Sequence, residues 1–269
     1  MEVLHGLASC PQLSLGSAAT IGAYDGVHLG HRALIQRVRH LAAELGSASA
    51  VVTFDQHPAR VVRPDSAPRL LTDLDQRLEL LATTGVDYTL VLPFDEARSK
   101  ESAEDFVTEV LVGCLRVRAV LVGHDFHFGH GRSGNVALLQ EMGGRLGFEV
   151  HGINLIADAE SAVPVSSTRI RELLNEGDVA AAAALLDRDH EVRGSTERGP
   201  VVVVPGEIQL PAPGRYTGSC VRAGGSAEPA LITVGAYGDP VSVLDVQVGD
   251  GGATWEPGQP ASVRFHARA

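Results

Sequence analysis

The chain has 269 residues, 44% of them apolar, and a formal net charge of −11. That length allows one large domain or two smaller ones with real cores, while the acidic balance argues against general nucleic-acid binding. No apolar run approaches the ~20 residues of a membrane span, and the start MEVLHGLASC lacks the basic and apolar pattern of a signal peptide. Cys10, Cys114 and Cys220 are far apart and follow no metal spacing. They read as free thiols in a reducing cytoplasm.

Taken in order, the apolar run 18–24 predicts a buried first strand. The following segment carries Leu34, Ile35, Val38, Leu41, Ala42 and Leu45 on one helical face and stops at Gly46. Residues 49–54 form a second apolar run, β-branched at Val51, Val52 and Thr53. Thr72 is placed to cap a helix with Leu74, Leu78, Leu81 and Ala82, and residues 88–92 read as a third strand. Ser102 and Asp105 have the spacing of a capping box for a helix carrying Phe106, Val107, Val110, Leu111 and Cys114. A fourth strand over 119–122, a helix over 133–146 and a fifth strand over 148–153 complete the alternation. Strictly alternating strands and helices imply a doubly wound, Rossmann-like parallel sheet, with ligands at the carboxyl ends of its strands. Two short helical stretches follow, over 168–174 and 178–186. From residue 187 helical periodicity disappears. Short apolar runs at 201–204, 216–222, 230–234, 241–248 and 262–266, punctuated by Gly and Pro, predict a small antiparallel β-barrel. The expected domains are therefore 1–186 and 187–269.

The stretch TIGAYDGVHLGH, residues 20–31, holds the chemistry. Gly22 and Gly26 allow backbone conformations that a Cβ hinders. His28 and His31 flank Gly30 where the chain enters a helix. A helix N-terminus presents unpaired N–H groups and partial positive charge, and imidazoles add donors near pH 7. This pattern suits a triphosphate. Asp25 has two readings, a turn-capping carboxylate and a ligand for magnesium. A second phosphate-binding candidate is VSSTRIR, residues 165–171. Ser166, Ser167 and Thr168 put hydroxyls and N–H groups at a helix start, and Arg171 shares a helix face with Thr168. The plain alternative there is an N-cap with surface arginines. In GHDFHFGHGRSGN, residues 123–135, the spacing of His124, His127 and His130 raises zinc as one reading. The glycine-rich loop and the lack of a companion cysteine favour ordinary hydrogen bonding, so no residue is assigned to a metal.

These motifs carry a resemblance. GAYDGVHLGH, TFDQHP at 53–58, GHDFHFGHGRSGN and VSSTRIR stand in the order seen in the bacterial bifunctional riboflavin kinase/FMN adenylyltransferases, also called prokaryotic FAD synthetases. The chain resembles that family over most of residues 15–186. The resemblance implies ATP and FMN as substrates, with Mg2+, and catalytic roles for His28, His31 and Arg171. It implies nucleotide-binding roles for Gly22, Tyr24, Asp25, Gly30, Ser166, Ser167 and Thr168. Acceptor-binding roles fall to His57, Asp125, Phe126 and His127, although His57 in its motif also reads as part of a packed turn. Small-molecule substrates are the expected partners, without nucleic acid or membrane, in the cytoplasm; the oligomeric state is left open.

Departures from the family pattern matter as much. Ala23 stands for the usual Asn, Tyr24 for Phe, Gln56 for Pro and His127 for Arg. The Gly-Phe-Pro-Thr-Ala-Asn segment of the family's kinase barrel is absent between His190 and Tyr216. The catalytic Glu has no counterpart near residues 241–248, although GRYTG at 214–218 preserves a family turn. The expectation is an adenylyltransferase whose barrel has lost kinase chemistry. Two rivals remain: transfer of a nucleotidyl group to another phosphorylated acceptor, and a non-catalytic flavin- or nucleotide-binding protein.

Overall fold

The computed structural model describes residues 1–154, 165–238, 240–249 and 255–269. Its first sheet is built from β1 (Glu2–His5), β2 (Ser17–Ile21), β3 (Ala48–Phe54), β4 (Tyr88–Leu92), β5 (Val117–Gly123) and β8 (Glu149–Ile153). Their order is β1-β4-β3-β2-β5-β8, and every pairing is parallel. The predicted sheet gains β1 at one edge; its four residues bury only Leu4, too short a signal to read from periodicity. The tiny strands β6 (His127–Phe128) and β7 (Gly134–Asn135) form a separate hairpin after β5.

Alternation along the strands divides the core. From β2, Ala18 faces Leu34, Val38 and Ala42 of helix α1 (Leu29–Glu44), while Ala19 and Ile21 join Phe106, Val107, Leu111 and Leu139 on the opposite side. Both faces are therefore covered, as a parallel sheet requires. Strand order turns back on itself at β2 and β5, which makes their carboxyl ends the switch point where such sheets hold ligands.

Ser102 caps as its spacing indicates. Its Oγ accepts from Asp105 N at 2.9 Å and donates to Asp105 Oδ2 at 2.7 Å. The helix it opens, Ala103–Phe106, then widens into a π-helix over Val107–Cys114. The predicted helix at 133–146 starts later, at Val136, because Asn135 pairs in the hairpin and its side chain caps the helix at Leu138 N.

One expectation is overturned. Cys10 and Cys114 are joined in a disulfide, with Cα atoms 5.1 Å apart across 104 residues of sequence. The segment after β1 and the end of the π-helix meet there, a proximity that no sequence spacing reveals. Cys220 alone is a free, buried thiol, and burial pushes its pKa up to about 11.

The second sheet is a closed antiparallel barrel, in the order β10-β13-β12-β11-β14-β9. Its strands are β9 (His190–Thr196), β10 (Val201–Pro205), β11 (Gly214–Arg222), β12 (Glu228–Val234), β13 (Val241–Val248) and β14 (Pro260–Arg268). β9 has no counterpart among the strands predicted from the sequence and lies where composition changes.

By packing, the chain forms two compact units: Met1–Ala67 with Leu74–Pro164, and Pro68–Asp73 with Val165–Ala269. The sequence boundary after Leu186 followed composition, whereas packing assigns the helices Ser167–Glu176 and Val179–Leu186 to the barrel unit. Ile170, Leu174, Val179, Ala182 and Leu186 share one core with Val192, Val202, Tyr216, Ile232, Leu244 and Phe265. Residues 68–73 join that unit through a parallel bridge from Leu70 to Ile208. Among the described residues, no helix is long and apolar enough to cross a membrane.

Candidate active site

In the first unit, β2 ends at Ile21, three residues short of the predicted strand, because Tyr24 takes a positive φ of 50°. Gly26 follows at 83° and Val27 at 38°. A buried, β-branched valine in this region is a strained backbone, held only because its surroundings over-determine it. The turn delivers His28 to the N-cap of α1, where its Nδ1 faces His31 N at 3.4 Å. Spacing three apart at a helix start brings the two rings together. They stack with centroids 3.6 Å apart and planes 17° from parallel.

Tyr24 packs against His31 of this pair. Its ring tilts against His31 at 4.9 Å, and its hydroxyl donates to Thr20 Oγ1 at 2.8 Å. Burial raises the pKa of the phenol, opposed in part by that hydrogen bond. Gly22 is where Tyr24 packs closest: a Cβ there would lie 3.2 Å from the Tyr24 ring. Asp25 is buried within the turn, and Gly30 in the first turn of α1. The half-buried His31 has an enclosed Nδ1 with no hydrogen-bond partner. Burial, and then the charge of neighbouring His28, hold its pKa well below the ordinary 6.5. His31 is therefore neutral at pH 7.

The second motif group lies in the other unit. Ser166 caps the helix Ser167–Glu176, its Oγ accepting from Arg169 N at 3.2 Å. Ser167 and Thr168 occupy the first turn, and Thr168 is exposed. Arg171 Nε donates to the carbonyl of Arg69 at 2.6 Å, tying segment 68–73 to this helix. The guanidinium of Arg69 covers the Tyr237 ring at 3.9 Å. Arg169 pairs with Glu172 at 3.1 Å instead of turning with Arg171.

The acceptor candidates lie in two places in the first unit. His57 uses Nδ1 to accept from Ala59 N at 3.1 Å. Asp125 in the β5–β6 loop and His127 at the start of β6 are both exposed, with His127 Nδ1 and the Asp125 carbonyl 2.8 Å apart. Phe126 stacks on Phe128 at 5.4 Å, and Phe128 reaches Phe106 at 5.6 Å. Gly129, at φ 71°, lies so close to Ala103 that a Cβ would meet its backbone N at 2.7 Å, which fixes the hairpin against that helix start. His130 Nδ1 lies 3.1 Å from the Ser99 carbonyl. Among the described residues, no group of three or more His, Cys, Asp or Glu side chains is arranged to hold a metal.

Three contributors escaped the sequence reading. Thr20 and Thr53 are buried strand residues; the first receives the Tyr24 hydroxyl and the second bonds the Ala23 carbonyl at 3.2 Å. Arg77 is a buried cation on the helix Leu74–Ala82. Its signal was present: it sits three residues after Leu74 and four before Leu81, within the apolar stripe.

Comparison with known proteins fits this geometry. Residues 10–169 match the FAD synthetase family. Over 242 residues the chain is 34% identical to the bifunctional riboflavin kinase/FMN adenylyltransferase of Escherichia coli (strain K12), covering 86% of this chain and 76% of that one. The protein of the same description from Pseudomonas fluorescens is 37% identical over 199 residues, 74% of this chain and 63% of its own. A crystal structure described as a macrolide-efflux protein from Streptococcus pneumoniae shares the fold, with a TM-score of 0.84, 21% identity, and coverage of 100% of this chain and 91% of that one. The family match over more than half of the chain, with a 34% identical relative covered over three quarters of its length, places the chain in the FAD synthetase family of nucleotidyltransferases.

Proposed function

We propose that the protein transfers AMP from ATP to FMN, giving FAD and pyrophosphate, and that it lacks riboflavin kinase activity. The observation that carries the first part is the His28–His31 stack at the start of α1, beside the switch point of the sheet. An oxygen of the FMN phosphate, ionised at neutral pH, attacks the α-phosphorus of ATP. A new P–O–P bond forms, the α–β bond breaks, and pyrophosphate leaves. No covalent enzyme intermediate is required. The work is positioning and stabilisation of charge, which suits imidazoles and helix N–H groups.

In this reading His28 and His31 meet the charge that builds on the phosphates. Ser166, Ser167, Thr168 and Arg171 supply further phosphate donors. Gly22 and Gly30 permit close approach of the backbone, and Tyr24 seats His31. His57, Asp125, Phe126 and His127 serve the acceptor. Magnesium enters with ATP, and the carboxylate of Asp25 offers the hard oxygen such an ion takes. We assign the enzyme to the cytoplasm, where ATP is at hand. Small molecules are its expected partners.

Loss of kinase chemistry is supported by the missing motif. The stretch 201–205 reads VVVVP, with Val202 and Val204 fully buried, and offers no side-chain oxygen at those places.

The test is turnover by pure protein. With FMN, ATP and Mg2+ it yields FAD and pyrophosphate; with riboflavin and ATP it yields no FMN. His28→Ala and His31→Ala each lower kcat by ~10²-fold or more. A His31→Ala/Arg171→Ala double-mutant cycle shows coupling if both act on the same step. FMN made from riboflavin refutes the second half. Pyrophosphate release with another phosphorylated acceptor, but not with FMN, refutes the first half, as does tight flavin binding without turnover.

A further inference from the structure

Arg77 is a cation enclosed in protein, with only 5% of its surface exposed, on the helix Leu74–Ala82. Its two terminal nitrogens point to different loops. Nη1 donates to the Ala23 carbonyl at 2.8 Å, while Nη2 donates to Phe54 at 2.6 Å and Asp55 at 3.3 Å. Ala23 adjoins Tyr24, whose ring packs on His31. Phe54 and Asp55 open the loop that carries His57. These loops leave the carboxyl ends of the paired strands β2 and β3. Thr53 Oγ1 reinforces the same junction by donating to Ala23 at 3.2 Å. The second loop is stiffened further, since Asp55 Oδ1 accepts from Gln56 N at 2.7 Å and Phe94 N at 2.9 Å. Gln56, where the family has Pro, adds a bond to the Phe94 carbonyl at 2.9 Å.

We propose that Arg77 is a positioning residue for nucleotidyl transfer: one guanidinium, bonded to both Ala23 and Phe54, sets the distance between the histidine turn and the TFDQHP loop. The role rests on the adenylyltransferase reading above. A guanidinium is a rigid planar fork that can hold two carbonyls at once in fixed directions. An ammonium is a point charge on a flexible stem and loses that span. Since reacting groups must be held to within a fraction of an ångström, a small slip between the loops falls on kcat. Each loop keeps its own side chains, so binding of either substrate alone is little affected. An ordinary core residue of the same helix would not separate these quantities.

The experiment compares wild type, Arg77→Lys, Arg77→Gln and Leu139→Ala with FMN and ATP, at a temperature where all are folded by circular dichroism. Leu139 is fully buried on the other face of the sheet and serves as a stability control. Arg77→Lys is expected to bind ATP within about threefold of wild type while kcat falls at least tenfold. Arg77→Gln is expected to fall further, and the His31 ring resonances are expected to shift in both. Leu139→Ala is expected to melt earlier and retain kcat. Wild-type kcat in Arg77→Lys overturns the role, as does an equal loss of kcat in Leu139→Ala. If wild type forms no FAD, the proposed function fails first and this role fails with it; unchanged His31 resonances in the Arg77 variants refute the positioning itself.

Discussion

His31 shows how one side chain proposed for the chemistry also bears on stability. Its folded pKa lies well below 6.5, mainly because burial disfavours the charged ring, and then because His28 stands beside it. In the unfolded chain the group titrates near 6.5. Below that pH the unfolded state binds a proton that the folded state refuses, so the unfolded state is favoured. The stability held at pH 7.5 is therefore expected to fall as pH drops through 6.5 toward the folded pKa. Thermal midpoints from pH 7.5 to 5.0 check this, and His31→Gln should flatten that part of the profile; an unchanged profile in the variant contradicts it. Tyr24 gives a second test. Tyr24→Phe restores the residue usual in the family but leaves the buried Thr20 hydroxyl without its donor, at a cost of about 1 kcal/mol. Because the ring still supports His31, we expect kcat within twofold of wild type alongside a lower unfolding midpoint. A large loss of kcat at full stability would show that the hydroxyl itself serves the reaction.

At the scale of elements, local pattern and long-range contact part company. Strand, turn and helix from β2 through α1 were legible because apolar periodicity, glycines and a stop at Gly46 agree. The capping pair Ser102–Asp105 was legible for the same reason: three residues decide it. The positive φ of Tyr24 and Val27 was not, because nothing local asks a tyrosine or a valine to take it. It follows from the packing of both residues with Ile35, Val51, Leu81 and Val86. The Cys10–Cys114 bridge is likewise a product of packing. Closing a loop of this length stabilises by about 4.7 kcal/mol in the entropic account, through restriction of the unfolded chain. Calorimetry with and without a reductant should show a lower midpoint in the reduced protein, and Cys10→Ser/Cys114→Ser should reproduce it. Equal midpoints, with reduction verified by thiol counting, would remove the bridge from the stability of the first unit.

For the whole molecule, the acidic composition sets a background against which the proposed phosphate binding has to be local, at helix starts, imidazoles and arginines. The chain alone determined the alternating sheet followed by a barrel, the four ordered motifs, the histidine pair and the missing kinase segment. These are matters of residue type and short spacing, so periodicity and turn chemistry can express them. Only the tertiary structure decided that Arg77 bonds two loops, that Arg171 holds segment 68–73, that helices 167–186 pack with the barrel, and that two distant cysteines meet. Each depends on groups that are far apart along the chain and become neighbours only when apolar faces are buried together, a three-dimensional outcome that local sequence does not encode.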